Sequence, residues 1–231
     1  IREFVLSYCT ERFGDAWHIG PEQSLLMQSG ERSLPLQLQV WSPAAGNQSL
    51  NLLHGTSLFL YKAPRLLPSR PSEDAGGLRL IELESALVAA RPAFFTQQQL
   101  AATIALRSLP EASNLIRILL DGSHSVIAGR LAGALRALGR LEMAEEIVQT
   151  MRAASYTVVE TNPLEKPVNA MPGGRPETPY VQRIRLLWAD MRQAVIDTLP
   201  PPAKVSRDAV QVLAALHAQA PFAELVAHEE T

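Results

Sequence analysis

Five histidines, one cysteine and a run of arginines set between glycines are the groups in this chain with chemistry to offer. His18, His54, His124, His217 and His228 fall on separate segments. No pair shows His-x-x-x-His or Cys-x-x-Cys spacing, so no metal is expected. Ser123-His124-Ser125 sets hydroxyls beside an imidazole, but neighbours on a helix point about 100° apart, which is wrong for a nucleophile and its base. His124 reads as a polar residue at a helix N-terminus. Cys9 sits on the apolar face of a helix and reads as core. A single cysteine also excludes an internal disulfide and suits a reducing cytoplasm, the expected location.

The arginines are the stronger candidates. Gly129-Arg130, Gly133-x-x-Arg136 and Gly139-Arg140 place three guanidiniums and three glycines on one helix and its exit. Together with His124, Arg130 and Arg136 are the candidate ligand or partner contacts, and no catalytic residue or cofactor is assigned. An enzyme acting through these three on a phosphorylated ligand is the remote alternative. Arg130 and Arg136 are six residues apart, so they lie roughly 120° from each other around the helix rather than stacked. Ala128, Gly129, Ala132 and Gly133 favour a different reading, in which missing side chains let a second backbone approach closely. The chain uses 18 Arg against 3 Lys. That bias fits bidentate phosphate or carboxylate recognition, and equally a genome rich in Arg codons.

The elements that carry these groups read as an α+β protein. Phe4, Val5, Tyr8 and Cys9 recur at helical spacing up to Gly14, and Pro21 opens a short helix ended by Gly30. Leu34–Trp41 alternates as a strand, with Leu36, Leu38 and Val40 on one side. Leu50–Leu53 and Ser57–Tyr61 are two more strands around His54-Gly55. Residues 64–77 read as a surface loop, and Leu78 to Glu82 resumes a strand. Ala86–Ala90 forms a short helix stopped by Pro92. Four helices' worth of periodicity follows. Thr96 caps Gln97–Leu109 and Pro110 starts a helix running through Leu120. Ser123 caps the next, with Val126, Ile127, Leu131, Leu135 and Leu138 inward, and Leu141–Ala154 buries Ala144, Ile147, Val148 and Met151. Tyr156–Glu160 reads as a strand.

The expected organisation is therefore a body over 1–162, with a short mixed sheet in its N-terminal α/β part and a helical middle. A Pro/Gly-rich linker follows at 163–179, then C-terminal helices over 180–231. In that last part Ile184, Leu187, Trp188, Met191 and Val195 share a stripe, and a final helix begins at Ser206 or Asp208. Net charge is −2, which gives no global attraction to nucleic acid or acidic lipid. No apolar run approaches the roughly 20 residues of a membrane span, so no membrane partner is expected. The two helices around Gly139-Arg140, followed by an extended segment, invite comparison with a winged helix-turn-helix. Glu142, Glu145 and Glu146 would then face phosphates, which disfavours nucleic acid as a partner of this segment.

One resemblance goes further. The string Leu119-Leu120-Asp121-Gly122-Ser123-His124-Ser125-Val126-Ile127-Ala128-Gly129-Arg130-Leu131-Ala132-Gly133-Ala134 resembles the segment ahead of the catalytic module in a group of bacterial Fic-domain (Fido) proteins. Arg12-Phe13-Gly14, Pro21-Glu22-Gln23-Ser24-Leu25, His54-Gly55-Thr56-Ser57-Leu58 and Pro179-Tyr180-Val181 with Trp188 resemble the same group. In those proteins this region is similar to AbiEi-type antitoxins of abortive-infection systems. The resemblance implies a non-catalytic regulatory or interaction region of a protein adenylyltransferase (AMPylation). Its partner would be an intramolecular Fic module or a toxin protein. A stand-alone antitoxin or repressor of a toxin–antitoxin system is the alternative. The family's catalytic His-Pro-Phe-x-x-Gly-Asn-Gly-Arg loop and its inhibitory Ser/Thr-x-x-x-Glu-Gly/Asn motif do not occur between Ile1 and Thr231. The resemblance places the Fic module after Thr231 and a helix-turn-helix before Ile1.

Overall fold

The computed structural model describes residues 1–164, 183–184, 186–191 and 193. By compactness the chain divides into Ile1–Leu187 and Trp188–Thr231. The first unit is mixed α and β, as its alternating and helical patterns require.

Helix α1 (Arg2–Phe13) buries Val5, Cys9 and Phe13 on one stripe and ends at Gly14, whose φ of 58° a side chain would strain. It covers one face of a four-stranded sheet ordered β1-β2-β4-β3. These strands are β1 (His18–Ile19), β2 (Gln37–Ser42), β3 (Gln48–Asn51) and β4 (Ser57–Lys62). β2 and β4 run parallel, with Trp41 opposite Tyr61, and the other pairs are antiparallel. Leu38, Val40, Leu58 and Leu60 point into the core shared with α1. Leu36 does not join them; it precedes the strand and is 74% exposed.

The stretch expected to be loop at 64–77 contains a strand. β5 (Ser69–Pro71) pairs with β6 (Arg79–Ile81) in a second, two-stranded sheet. Its proline-rich composition hid this, because Pro71 sits at the end of a two-strand ladder where a missing N–H costs nothing. Helix α2 (Pro21–Gln28) joins the two sheets through side chains. The Ser24 hydroxyl donates to Ile19 O and accepts from Ile81 N, and Gln28 Nε2 donates to Ile81 O.

Six helices complete the described body: α3 (Leu83–Ala89), α4 (Pro92–Gln97), α5 (Gln99–Arg107), α6 (Ser113–Asp121), α7 (Ser125–Ala137) and α8 (Leu141–Ala153). They enclose the larger apolar cluster, with Phe95, Leu106, Leu115, Leu131, Leu135, Ile147 and Met151 at its centre. Several expected starts move. Pro92 opens α4 instead of only closing α3. Thr96 lies inside α4, its hydroxyl on Ala93 O, and caps nothing. α6 begins at Ser113, three residues past Pro110. Val126, expected inward, is 80% exposed.

Tyr156–Glu160 is extended but joins no sheet. Of the expected linker at 163–179, only Pro163 and Leu164 fall among the described residues, and Leu164 is buried in the helical cluster. Residues 183–184, 186–191 and 193 are helical. Leu186 is buried there, whereas Leu187, Trp188 and Met191, expected to share an apolar stripe, are exposed. The expected helix from Ser206 or Asp208 lies outside the described residues. No helix among the described residues is long and apolar enough to cross a membrane.

Candidate functional site

The candidate residues lie on α7, its entry and its exit. At the entry, α6 ends in paired 6→1 and 5→2 hydrogen bonds, His124 N to Leu119 O at 2.9 Å and Ser123 N to Leu120 O at 3.0 Å. The left-handed position of this ending is Ser123, φ 54°, rather than the neighbouring Gly122. Gly122 serves space instead: a Cβ there would come 2.1 Å from His124 Nε2. The His124 imidazole thus folds back over its own turn, at the N-cap of α7. Ser123, expected to be that cap, instead shares a 2.9 Å hydrogen bond with the Tyr156 hydroxyl.

Along α7 the glycines receive the chain that follows α8. A Cβ on Gly129 would lie 2.0 Å from Val159 O, and one on Gly133 would lie 2.2 Å from Thr161 O. Thr161 N donates to Gly129 O at 3.2 Å. Residues 159–161 therefore lie against the helix backbone, the close packing that the small residues foreshadow. No bulkier residue at 129 or 133 leaves room for it.

Each arginine of the stripe then clamps a different element. Arg130 is 92% buried, its guanidinium 5.2 Å from the centroid of Phe95 and one NH2 3.4 Å from Ala90 O, the C-cap of α3. Burial lowers its pKa, and its Nε has no hydrogen-bond partner. Arg136 grips Glu160 with two nitrogens (Nε–Oε2 2.8 Å, NH2–Oε1 3.2 Å) and Glu145 with one (3.0 Å). Those hydrogen bonds raise the Arg136 pKa and lower that of Glu145. Arg140, which the sequence singled out only for following Gly139, points one NH1 at Leu106 O (2.9 Å) and Leu109 O (2.6 Å) at the end of α5. A cation at a helix C-terminus satisfies carbonyls that have no partner within the helix and complements the dipole.

The surroundings carry little else. An open groove beside Arg136 is lined by Leu141, Glu142, Glu145, Glu146 and Gln149, so anions meet carboxylates there. Those glutamates stand on the exposed face of α8, where a recognition helix would need bases. Burial pushes the Cys9 thiol up to about 12, so no thiolate forms near neutral pH. No group of three His, Cys, Asp or Glu placed to hold a metal occurs among the described residues. Comparisons of the chain with family models, curated proteins and solved structures find no match.

Proposed function

We propose that this chain is a non-catalytic, antitoxin-like regulatory or interaction region of a Fic-type protein adenylyltransferase. What supports the reading is the use made of Leu119–Ala134, the string that carries the family resemblance. Its reactive side chains are committed to the fold: His124 to its own turn, Arg130 to Phe95 and α3, and the glycines to the tail. A segment built so tightly acts by shape, positioning or screening a neighbouring catalytic module rather than transferring a group itself. Its partner is that module, held in the same polypeptide.

The test is AMP transfer from ATP by the polypeptide as its gene encodes it, compared with the same polypeptide lacking residues 1–164. The proposal expects a changed rate or changed target choice. Identical rates and targets, or a gene that encodes no Fic loop, contradict it.

A further inference from the structure

The outer face of the four-stranded sheet is built unlike the rest of the molecule. Opposite the α1 face, β2 and β4 turn Gln37, Gln39, Trp41, Ser57, Phe59 and Tyr61 outward, paired in register as Gln37–Ser57, Gln39–Phe59 and Trp41–Tyr61. None of the three aromatic residues enters either buried apolar cluster. Tyr61 is 38% exposed, and Phe59 and Trp41 are half-buried. The Trp41 and Tyr61 rings lie side by side, centroids 4.8 Å apart. Neighbouring aromatic rings left partly open on an amide-rich sheet face form the kind of surface that marks a binding site.

Charge indicates what that occupant is. Residues 32–72, which include β2 to β5, hold Arg32, Lys62, Arg65 and Arg70 and none of the chain's 23 Asp and Glu. In a chain of net charge −2, the acids are all elsewhere. Lys62, Arg65 and Arg70 are exposed, and no ion pair among the described residues uses them. Arg65 is brought to the rim by the loop after β4. Leu67 N donates to His18 Nε2 at 3.2 Å, and the His18 ring lies 5.9 Å from that of Trp41. Lys62, the last residue of β4, pairs with Ser42 and leaves the strand on the opposite pleat from Tyr61.

We propose that this face binds single-stranded nucleic acid, with bases stacked on Tyr61, Trp41 and Phe59 and the phosphates running past Arg65. Phe59 and Tyr61 stand about 6.7 Å apart along one strand, which gives room for two or three unstacked bases. A duplex offers these rings no base face, because its bases are stacked inside. The acid-free stretch 32–72 favours a polyanion over a protein surface, and the ring faces favour bases over a bare polyanion. This site lies apart from the α7 region and does not depend on the proposed function above.

The test is fluorescence anisotropy of labelled dT12 with the full 231-residue chain, alongside the dA12·dT12 duplex. Saturable dT12 binding is expected, at least about 5-fold weaker in both Tyr61→Ala and Tyr61→Leu, and unchanged within about 2-fold in Tyr61→Phe. Tyr61→Leu keeps the apolar bulk, so it separates loss of the ring face from loss of folding. Arg65→Ala should lower the slope of log K against log salt by about 0.7. Absence of dT12 binding, equal affinity for the duplex, or a Tyr61→Leu variant that binds like the parent overturns the proposal.

Discussion

The sheet half, residues 1–81, and the helical half, residues 83–164, solve the same problem with different side chains. Each must satisfy backbone groups that its secondary structure leaves open. Along the strand edges of the sheet half the surrogates can both donate and accept, while Arg2 donates to two loop carbonyls, Asp74 O and Arg32 O. Gln23 accepts from Gln39 N at 2.8 Å and donates to Gln37 O at 3.1 Å, continuing the edge of β2 beyond the two residues of β1. Ser24 relays between β1 and β6, and His18 lies between Ile19 O and Leu67 N. In the helical half the surrogates are guanidiniums, Arg130 on the end of α3 and Arg140 on the end of α5. The difference follows from what each edge offers. A strand edge alternates N–H and C=O, which an amide or hydroxyl matches, whereas a helix C-terminus presents carbonyls alone, which a donor-only cation matches.

The largest effect should come from removing the apolar support of the helical half. Phe95 is fully buried and carries Arg130 on its ring, so Phe95→Ala should cost about 3–5 kcal/mol in chemical denaturation. Next come the glycines under the tail. Gly129→Ala or Gly133→Ala drives a Cβ into a backbone carbonyl and should cost about 1–3 kcal/mol. Faster hydrogen exchange at Thr161 N would place that loss at the tail.

Exchanging the surrogate side chains separates the two halves. Gln23→Glu retains the acceptor for Gln39 N but loses the donor to Gln37 O, and Arg140→Gln loses the cation at the end of α5. Each should cost about 1–2 kcal/mol, and only the second should leave sheet-half amide exchange untouched. If a Gln at 140 is tolerated as well as Arg, the rule drawn from the two halves fails.

The smallest effect is a pH dependence confined to the sheet half. His18 is buried with Nδ1 donating to Ile19 O and Nε2 accepting from Leu67 N, which fixes the neutral ring. Burial, and secondarily the charge of Arg79, lowers its pKa from 6.5 in the folded state. The unfolded chain therefore takes up the proton first. Stability should be full above about pH 6.5 and fall as pH drops below it, levelling off beneath the folded value. The Glu22 carboxylate, held low by Arg91, acts only below 4.5 and outside that window. In His18→Gln the slope between pH 6.5 and 5 should flatten. An unchanged slope would assign it to other groups.

Much of the fold was legible in the sequence, wherever local chemistry determines it. Gly30 and Gly139 marked helix ends because left-handed backbone favours glycine. Ser123 and Ser155 take the same conformation at the ends of α6 and α8 and gave no such mark. Alternation identified β2 and placed Leu38 and Val40 inward, wrongly adding Leu36, and it marked β4 without assigning its faces. The β-branched run at 157–159 announced extended backbone correctly and a sheet partner wrongly. Its partner is the glycine face of α7, and propensity reports backbone shape without saying what lies alongside. The small-residue stripe of α7 pointed to packing. The acceptors of Arg130 and Arg140 are 40 residues away for Arg130 to Ala90 O and 31 for Arg140 to Leu109 O, beyond the reach of any local pattern.

The account depends most on the arginines of α7 serving the fold. Thermal unfolding of the 231-residue chain with and without ATP, ADP or phosphate, repeated on Arg130→Met and Arg136→Met, examines this directly. The account predicts lowered midpoints for both variants without ligand and no saturable ligand shift that depends on either arginine. A saturable nucleotide or phosphate shift in the parent, lost in Arg130→Met or Arg136→Met, would contradict it.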